Sequence, residues 1–228
     1  MNRKYRIFFI CIVLVLYSAA CLKDHAGAST VEFPLDVEYS GGSGSEGLMP
    51  WATATFVTTG SKRVTLTMSA ENLVSSEFIS LWYFNFDPIL DPTLLIFSPV
   101  GIPGAMPISI NTGMDAFKAG PDRFYDIEFS FPTSAGNSSN RFTAGETVVY
   151  DITYAGPGTI STSSFVFESL SGKQGSFHSA AHIQSIGTGG KSGWVGNTSV
   201  VPEPVSSLLF LTGGAVLGYR KYRKARSA

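Results

Sequence analysis

Hydrophobic and polar residues alternate with a period of two along much of the chain between residues 29 and 200. In the clearest segment, 125–131, aromatic and aliphatic residues alternate with Asp126, Glu128 and Ser130. Because successive side chains of a strand point to opposite faces, this pattern predicts a strand with one buried face. The same pattern predicts strands at 63–68, 78–86, 94–97, 147–154 and 165–168, and weaker strands at 32–38, 52–58 and 182–186.

Turn residues separate these segments, and no long stretch has the 3.6-residue periodicity of an amphipathic helix. Asp87-Pro88 and Gly156-Pro157-Gly158 are two such turns. Many short strands between Gly- and Pro-containing turns predict an all-β fold, an antiparallel β-sandwich or jelly roll, over residues 29–186. The Gly-, Ser- and Thr-rich stretch 187–200 is predicted to be a linker. A last edge strand that ends at 193–195 is the alternative there.

The first 28 residues have the three-part pattern of a secretory signal peptide. Basic residues precede an uncharged apolar run from Ile7 to Leu16, and small residues follow it. This pattern predicts an N-terminal signal helix that is removed after export. Cleavage after Ala20 and cleavage after Ala28 both fit the small-residue rule, and the sequence leaves the two alternatives open.

Both cysteines of the chain, Cys11 and Cys21, lie in this N-terminal segment. Cys21 follows two alanines, so lipid attachment to Cys21 is an alternative to ordinary cleavage. The chain from residue 29 onward contains no cysteine, which excludes thiolate nucleophiles, thiolate metal sites and disulfides there. A packed core must therefore stabilise the predicted domain.

The last 28 residues, 201–228, divide into three parts. Pro202, Glu203 and Pro204 come first, and the two prolines favour an extended, accessible backbone. An apolar run, 205–219, predicts a short transmembrane helix of about 22 Å against a hydrocarbon core of about 30 Å. A basic end follows, which favours the cytoplasmic side of a membrane. Its charged residues are Arg220, Lys221, Arg223, Lys224 and Arg226.

This ordered tail resembles the PEP-CTERM sorting signal of exopolysaccharide-producing Gram-negative bacteria, which is also labelled an ice-binding-protein C-terminal domain. The resemblance covers about the last 28 residues. It implies export by the general secretion machinery, transient anchoring in the inner membrane, and recognition by an exosortase near Pro202-Glu203-Pro204. The processed protein would then be at the cell surface or outside the cell. An ordinary single-pass C-terminal anchor is the alternative.

The charge of the predicted domain limits the classes of partner. Between residues 29 and 201 there are seven Lys and Arg residues against fifteen Asp and Glu residues, a formal net charge of −8. Nucleic-acid binding requires a basic face that neutralises phosphates, so we do not expect nucleic acid as a partner.

Exposed aromatic side chains are candidate contacts for a sugar such as an exopolysaccharide. Trp82, Tyr83 and Trp194 are the candidates. Adjacent residues of a strand point to opposite faces, so one of Trp82 and Tyr83 is expected on the outside. Core packing is the preferred interpretation for most of these aromatic side chains.

Calcium is a candidate metal, because hard oxygen ligands are often supplied by turns. Asp87, Asp91 and Asp122 lie in or beside predicted turns, with Asp115 and Asp126 nearby. Solvated turn residues are the default interpretation, and calcium binding is the alternative.

The remaining motifs predict no catalytic site. Gly42 to Gly47 match G-x-G-x-x-G, but no predicted helix follows to bind a pyrophosphate. His178 and His182 have the i, i+4 spacing of a helical zinc site, but they lie in a predicted strand or loop. No serine lies in a G-x-S-x-G elbow, although a Ser-His-Asp triad can assemble from distant residues. We therefore predict no catalytic residue and no cofactor.

The predicted function is that of an exported, non-catalytic envelope or biofilm-matrix protein, with a carbohydrate-binding module and then a secreted hydrolase as alternatives.

Overall fold

The fold is described from a computed structural model, which describes residues 29–101, 104–120, 124–134, 141–170, 175–197 and 201–202. Strands dominate these residues, and two short 3₁₀ helices, Pro92–Leu94 and Thr162–Phe165, are the helical elements among them. The strands are β1 (Thr30–Glu38), β2 (Ala52–Gly60), β3 (Arg63–Ser69), β4 (Phe78–Phe84), β5 (Leu95–Pro99), β6 (Ser109–Lys118), β7 (Phe124–Ser130), β8 (Phe142–Thr143), β9 (Thr147–Tyr154), β10 (Ser179–Ile186), β11 (Lys191–Asn197) and β12 (Val201–Pro202).

All twelve strands belong to one sheet, and every pair of neighbours is antiparallel. The main path runs in the order β5-β9-β3-β2-β1-β11-β10-β4-β7-β6. The short strands β8 and β12 pair with β4 and β1, respectively. The predicted all-β, antiparallel fold is therefore confirmed.

The alternation of residue types decides which face of each strand is buried. In β3, Val64, Leu66 and Met68 are fully buried, while the residues between them are partly exposed. β9 repeats this pattern with Val148 and Ile152. Each large apolar side chain buried in this way contributes about 1.5–3 kcal/mol to folding. The inward faces of the strands thus form one continuous hydrophobic core.

Contacts between distant strands show that the sheet curls over this core. The ring of Phe56 in β2 meets Phe84 in β4, with centroids 5.2 Å apart. Phe97 in β5 meets Phe129 in β7 at 5.4 Å. Both pairs join strands that are far apart in the order of the sheet, so its two halves face each other.

The pairing of β4 with β10 contains one bulge that matters for the site described below. Leu81 lies opposite His182, whereas Ile79 lies opposite Ile183, so Ser80 has no directly opposed residue. The extra residue turns the Ser80 side chain towards the His182 ring. A bulge of this kind re-aims a side chain without ending the strand.

Three segments differ from the prediction. Residues 191–197, predicted as part of a linker or as the end of an edge strand, form β11, which lies between β1 and β10. Its Val195 is fully buried, so hydrophobic packing keeps this segment in the sheet although its composition is typical of a linker. Residues 165–168, predicted as a strand, end one 3₁₀ helix and continue irregularly. β6 was not predicted, because its residues are mostly exposed and do not alternate.

The two ends of the domain meet in the sheet. β12 pairs with the beginning of β1, so that Pro202 lies opposite Val31 and Val201 lies opposite Glu32. The predicted signal helix, the predicted C-terminal membrane helix and the basic end lie outside the described residues. No helix within the described part of the chain is both long and apolar enough to cross a membrane.

Candidate functional site

The outer face of the sheet carries a second group of buried side chains, which we name the outer cluster. Strand register builds it: His182 in β10 lies between Leu81 in β4 and Trp194 in β11, and Tyr83 lies opposite Ala180. Its fully buried members are Tyr39, Tyr83, Ala119, Tyr125, Phe177 and Ala180.

The aromatic rings of the outer cluster stack on one another. Trp194 stacks on His182 with 4.8 Å between centroids and on Tyr83 with 5.3 Å. Tyr83 also stacks on Tyr125 at 5.7 Å. Gly120 lies beside the indole, since a Cβ there would be 3.8 Å from Trp194 Cδ1. These rings therefore pack within the protein and do not form an open row of ring faces.

A polar chain continues from this cluster towards the sheet edge. The Tyr83 hydroxyl donates to Glu128 Oε2 at 2.8 Å, and the amide of Asn111 donates to Glu128 Oε1 at 2.9 Å. Burial, and then the hydrogen bond to the Glu128 carboxylate, raise the pKa of Tyr83. Tyr83 is thus held as a neutral donor and is unsuited to act as a base near neutral pH.

The structure corrects two of the three aromatic ligand candidates. Trp82 points into the main core and is 0% exposed, and Tyr83 is 3% exposed under the neighbouring rings. The two do lie on opposite faces of β4, but neither is available to a ligand in solution. Of the three candidates, Trp194 alone is partly exposed.

A serine and a histidine meet at the β4 bulge. Ser80 Oγ lies 3.0 Å from His182 Nδ1, and the amide of Gln184 donates to Ser80 Oγ at 3.1 Å. Ser80 is 2% exposed, so a substrate has no access to its hydroxyl. Burial lowers the pKa of His182, and no carboxylate accepts a hydrogen bond from its ring among the described residues. The geometry is that of a buried polar contact and differs from a Ser-His-Asp triad.

The other histidine, His178, packs elsewhere. Its ring stacks on Phe33 at 5.5 Å, and its Nδ1 lies 3.3 Å from the amide nitrogen of Asn197. Burial lowers the pKa of His178, and the charge of Glu168 opposes this shift in part. His178 and His182 thus have separate sets of partners. In the part of the chain that the structure describes, no group of three or more His, Cys, Asp or Glu side chains is placed to hold a metal ion.

The candidate calcium ligands act as local turn residues. Asp87 Oδ1 accepts the backbone N–H of Ile89 at 2.9 Å, and Asp91 Oδ1 accepts that of Thr93 at 2.9 Å. The hydroxyl and the N–H of Thr93 together lower the pKa of Asp91. Asp122 lies outside the described residues. The structure therefore does not gather Asp87 and Asp91 into a calcium site.

The Gly42–Gly47 segment is a structural loop. No helix follows it, and it packs so closely that a Cβ at Gly47 would lie 1.7 Å from the carbonyl oxygen of Asn72. The carboxylate of Glu77, which is 1% exposed, holds the loop. It accepts hydrogen bonds from Ser45 Oγ at 2.5 Å and from the N–H groups of Glu46 at 3.0 Å and Val74 at 2.9 Å. This arrangement offers no site for a dinucleotide.

Sequence reasoning missed one concave feature, which we name the end cavity. It has a volume of about 230 Å³. Its walls come from β6, from β7, from the loop that follows β4 and from residues 167–170. Asp126 lies at its base, 8% exposed, and accepts the N–H of Phe86 at 2.8 Å and that of Asp115 at 2.7 Å. Desolvation is the main reason why the pKa of Asp126 is raised. Strand alternation had placed Asp126 on a solvated face, and no sequence signal indicated its burial.

The predicted sorting residues lie at and beyond the last described residue, Pro202. The backbone of Pro202 belongs to β12, while Glu203, Pro204 and the basic residues from Arg220 to Arg226 lie outside the described residues.

Comparison of the chain with protein-family models, with curated proteins and with solved structures found no match.

Proposed function

We propose that this chain is an exported, non-catalytic protein of the bacterial envelope or biofilm matrix, sorted by an exosortase through residues 201–228. The observation that carries the proposal is the order of three parts in the tail: Pro202-Glu203-Pro204, an apolar run and a basic end. A signal-like N-terminus at the opposite end of the chain supports export independently.

The position of the tail supports the same proposal. β12, the last strand in the described part of the chain, ends at Pro202, which is also the first residue of the candidate processing motif. Cleavage after Ala28 would leave β1 intact, because β1 begins at Thr30. Removal of both ends would thus leave every described strand of the sheet in place. We propose that the resulting domain is a β-sandwich built from one curled sheet, with exopolysaccharide as a candidate neighbour.

The carbohydrate-binding alternative is less well supported. It requires ring faces that are open to a sugar, and the rings of the outer cluster stack on one another. Trp194 is the one candidate contact with exposed surface. If this alternative is correct, Trp194→Ala should abolish the retardation of the protein in a gel that contains the exopolysaccharide of the host strain. An equal retardation of both proteins, or none of either, would exclude it.

The hydrolase alternative requires an accessible nucleophile. The Ser80–His182 pair is the serine–histidine contact that the described residues contain, and its serine is enclosed. This geometry supports a non-catalytic role.

Mass spectrometry of the exported protein tests the proposed function. The protein should be produced in a strain that contains an exosortase and in one from which the exosortase gene is deleted. In the first strain we expect a mature N-terminus near residue 21 or residue 29 and a C-terminus near 202–204. In the second strain we expect the chain to retain Ala228 and to stay in the membrane fraction.

A matched pair of variants makes this test specific. Glu203→Ala combined with Pro204→Ala removes the motif, whereas Ser206→Ala combined with Ser207→Ala changes the same segment outside it. The first pair should block processing, and the second should not. An extracellular protein that still ends at Ala228, or a cytosolic protein with Met1 in place, would overturn the proposal.

A further inference from the structure

The end cavity combines a hydrophobic wall with an excess of negative charge. Leu90, Met114 and Leu170 contribute apolar surface, and Met114 and Leu170 are 59% and 55% exposed. Among the described residues that line it, four carry carboxylates and none is Lys or Arg. The four are Asp87, Asp115, Asp126 and Glu168.

A nearly buried amide side chain also lines the cavity. Asn85 is 3% exposed, and its one hydrogen bond among the described residues is a long one, from Nδ2 to the carbonyl oxygen of Phe177 at 3.4 Å. Its side-chain oxygen has no donor in that part of the chain, although Asn85 lines the cavity. This amide oxygen is therefore able to accept a hydrogen bond from a ligand in the cavity.

The size and shape of the cavity restrict the ligand. Its volume of about 230 Å³ is below the range of about 300–1,000 Å³ that is typical of sites for drug-sized molecules. Within the described ranges of the chain, its carboxylates line the wall without converging into a group placed to hold a metal ion. A short organic cation fits these conditions better than a bare ion or a large ligand.

We propose that the end cavity binds a primary ammonium group on a short aliphatic stem. The ammonium group supplies three N–H donors, which match the free oxygen of Asn85 and the carboxylates around it. The aliphatic stem covers Leu90, Met114 and Leu170, whose contact with water is unfavourable. Such a group occurs in free diamines and in the lysine side chains of polypeptides. This proposal is independent of the proposed function.

The oxygens of Asp126 remain able to take part. Each oxygen accepts one backbone N–H, and a carboxylate oxygen has two acceptor positions. A bound cation stabilises the ionised carboxylate, so binding should weaken as the pH falls and Asp126 becomes protonated. The exposed carboxylates of Asp115 and Glu168 add attraction that depends on the salt concentration.

Calorimetric titration of the full-length protein in detergent, at low salt, tests the proposal. Cadaverine is the free-diamine probe, and Nα-acetyl-lysine methylamide represents a lysine in a polypeptide. Pentane-1,5-diol, which has the same stem without charge, is the neutral control, and calcium chloride is the metal control. We expect at least one of the two amines to bind, and the comparison between them identifies the source.

Variants locate the site. Asp115→Asn combined with Glu168→Gln removes two exposed carboxylates, so the fold should be retained and the affinity for the amine should fall about tenfold. Glu32→Gln combined with Glu46→Gln removes the same charge from residues that do not line the cavity, and it should leave the affinity within about twofold of the original.

Four results would overturn the proposal: neither amine binds, the diol binds as well as the amines, both double variants weaken binding equally, or calcium alone binds with the predicted dependence on Asp115 and Glu168.

Discussion

At the scale of single residues, buried polar groups distinguish this protein more than its exposed ones do. Glu77 accepts three hydrogen bonds and Asp126 accepts two, and both carboxylates are almost fully enclosed. Most of the donors are backbone N–H groups of loops or, for Asp115, of the irregular middle of β6, so each carboxylate replaces hydrogen bonds that regular structure would supply. These residues keep irregular segments in place and are not poised for chemistry.

Glu77→Gln tests this role. The oxygen of the new glutamine can accept some of the hydrogen bonds that Glu77 accepts, but the glutamine NH₂ group would face a donor. We therefore expect a loss of about 1–3 kcal/mol in the free energy of unfolding. Urea denaturation followed by tryptophan fluorescence measures it. Glu46→Gln, on an exposed side chain of the same loop, is the control and should change the free energy of unfolding by less than about 0.5 kcal/mol. Equal effects would show that Glu77 does not hold the loop.

The two described histidines make the stability depend on pH. Burial lowers the pKa of His178 and His182 below the ordinary value of 6.5. As the pH falls, the histidines of the unfolded chain are therefore protonated before those of the folded protein. The contribution of the two neutral histidines to the free energy of unfolding is complete above about pH 6.5 and is lost as the pH falls towards the folded pKa values. Urea midpoints at about pH 8 and about pH 5 should differ less in His178→Gln/His182→Gln than in the original protein. An unchanged difference would contradict the assignment.

At the scale of the element, β11 shows how packing overrides composition. Glycines at 193 and 196 make the strand resemble a linker in sequence, but they permit close approach of other segments. A Cβ at Gly193 would lie 2.2 Å from the carbonyl oxygen of Ser43, and one at Gly196 would lie 2.7 Å from the ring of Phe177. Small residues are thus required where the Gly42–Gly47 loop and the outer cluster lie against the sheet.

Gly193→Ala tests the role of β11. The added methyl group must displace the backbone of the loop, so we expect a loss of about 1–3 kcal/mol in the free energy of unfolding. Gly189→Ala is the matched control in the preceding turn, where the nearest atom would lie 3.9 Å away. Thermal unfolding monitored by circular dichroism compares the two variants. If residues 191–197 were a linker, both substitutions would be equally mild.

At the scale of the whole molecule, one sheet encloses the main core and supports the outer cluster on its other face. β4, β10 and β11 contribute side chains to both, because successive residues of each strand alternate between the faces. The loss of any central strand would therefore disrupt both groups of side chains. The two ends of the domain also meet in this sheet, through the pairing of β1 with β12.

Because the main core and the outer cluster share strands, we expect a single cooperative unfolding transition. Trp82 lies in the main core and Trp194 lies against the outer cluster, so tryptophan fluorescence reports on both, while far-ultraviolet circular dichroism reports on the strands. We expect coincident urea midpoints for the two signals, as two-state unfolding requires. Separate midpoints would show that the outer cluster unfolds independently of the sheet.

Much of the secondary structure was predictable from local pattern. Strands such as β3, β7 and β9 have one buried face, so their residues alternate and the pattern is visible without the fold. β6 lies at the edge of the sheet and is largely exposed, so it carries no such pattern. β11 was missed for another reason: its glycines, Gly193 and Gly196, lie against the backbone of Ser43 and the ring of Phe177, so buried positions of this strand carry no hydrophobic side chain.

By itself, the sequence determined the all-β class, the inward face of most strands and the absence of cysteine chemistry from residue 29 onward. These properties depend on residue type and on periods of a few residues. Only the tertiary structure decided that Trp82 and Tyr83 are enclosed, that Ser80 meets His182, and that Asn85 and Asp126 line one cavity. The physical reason is that burial and hydrogen bonding depend on which distant strands become neighbours, and strand order is not encoded in the local alternation of residues.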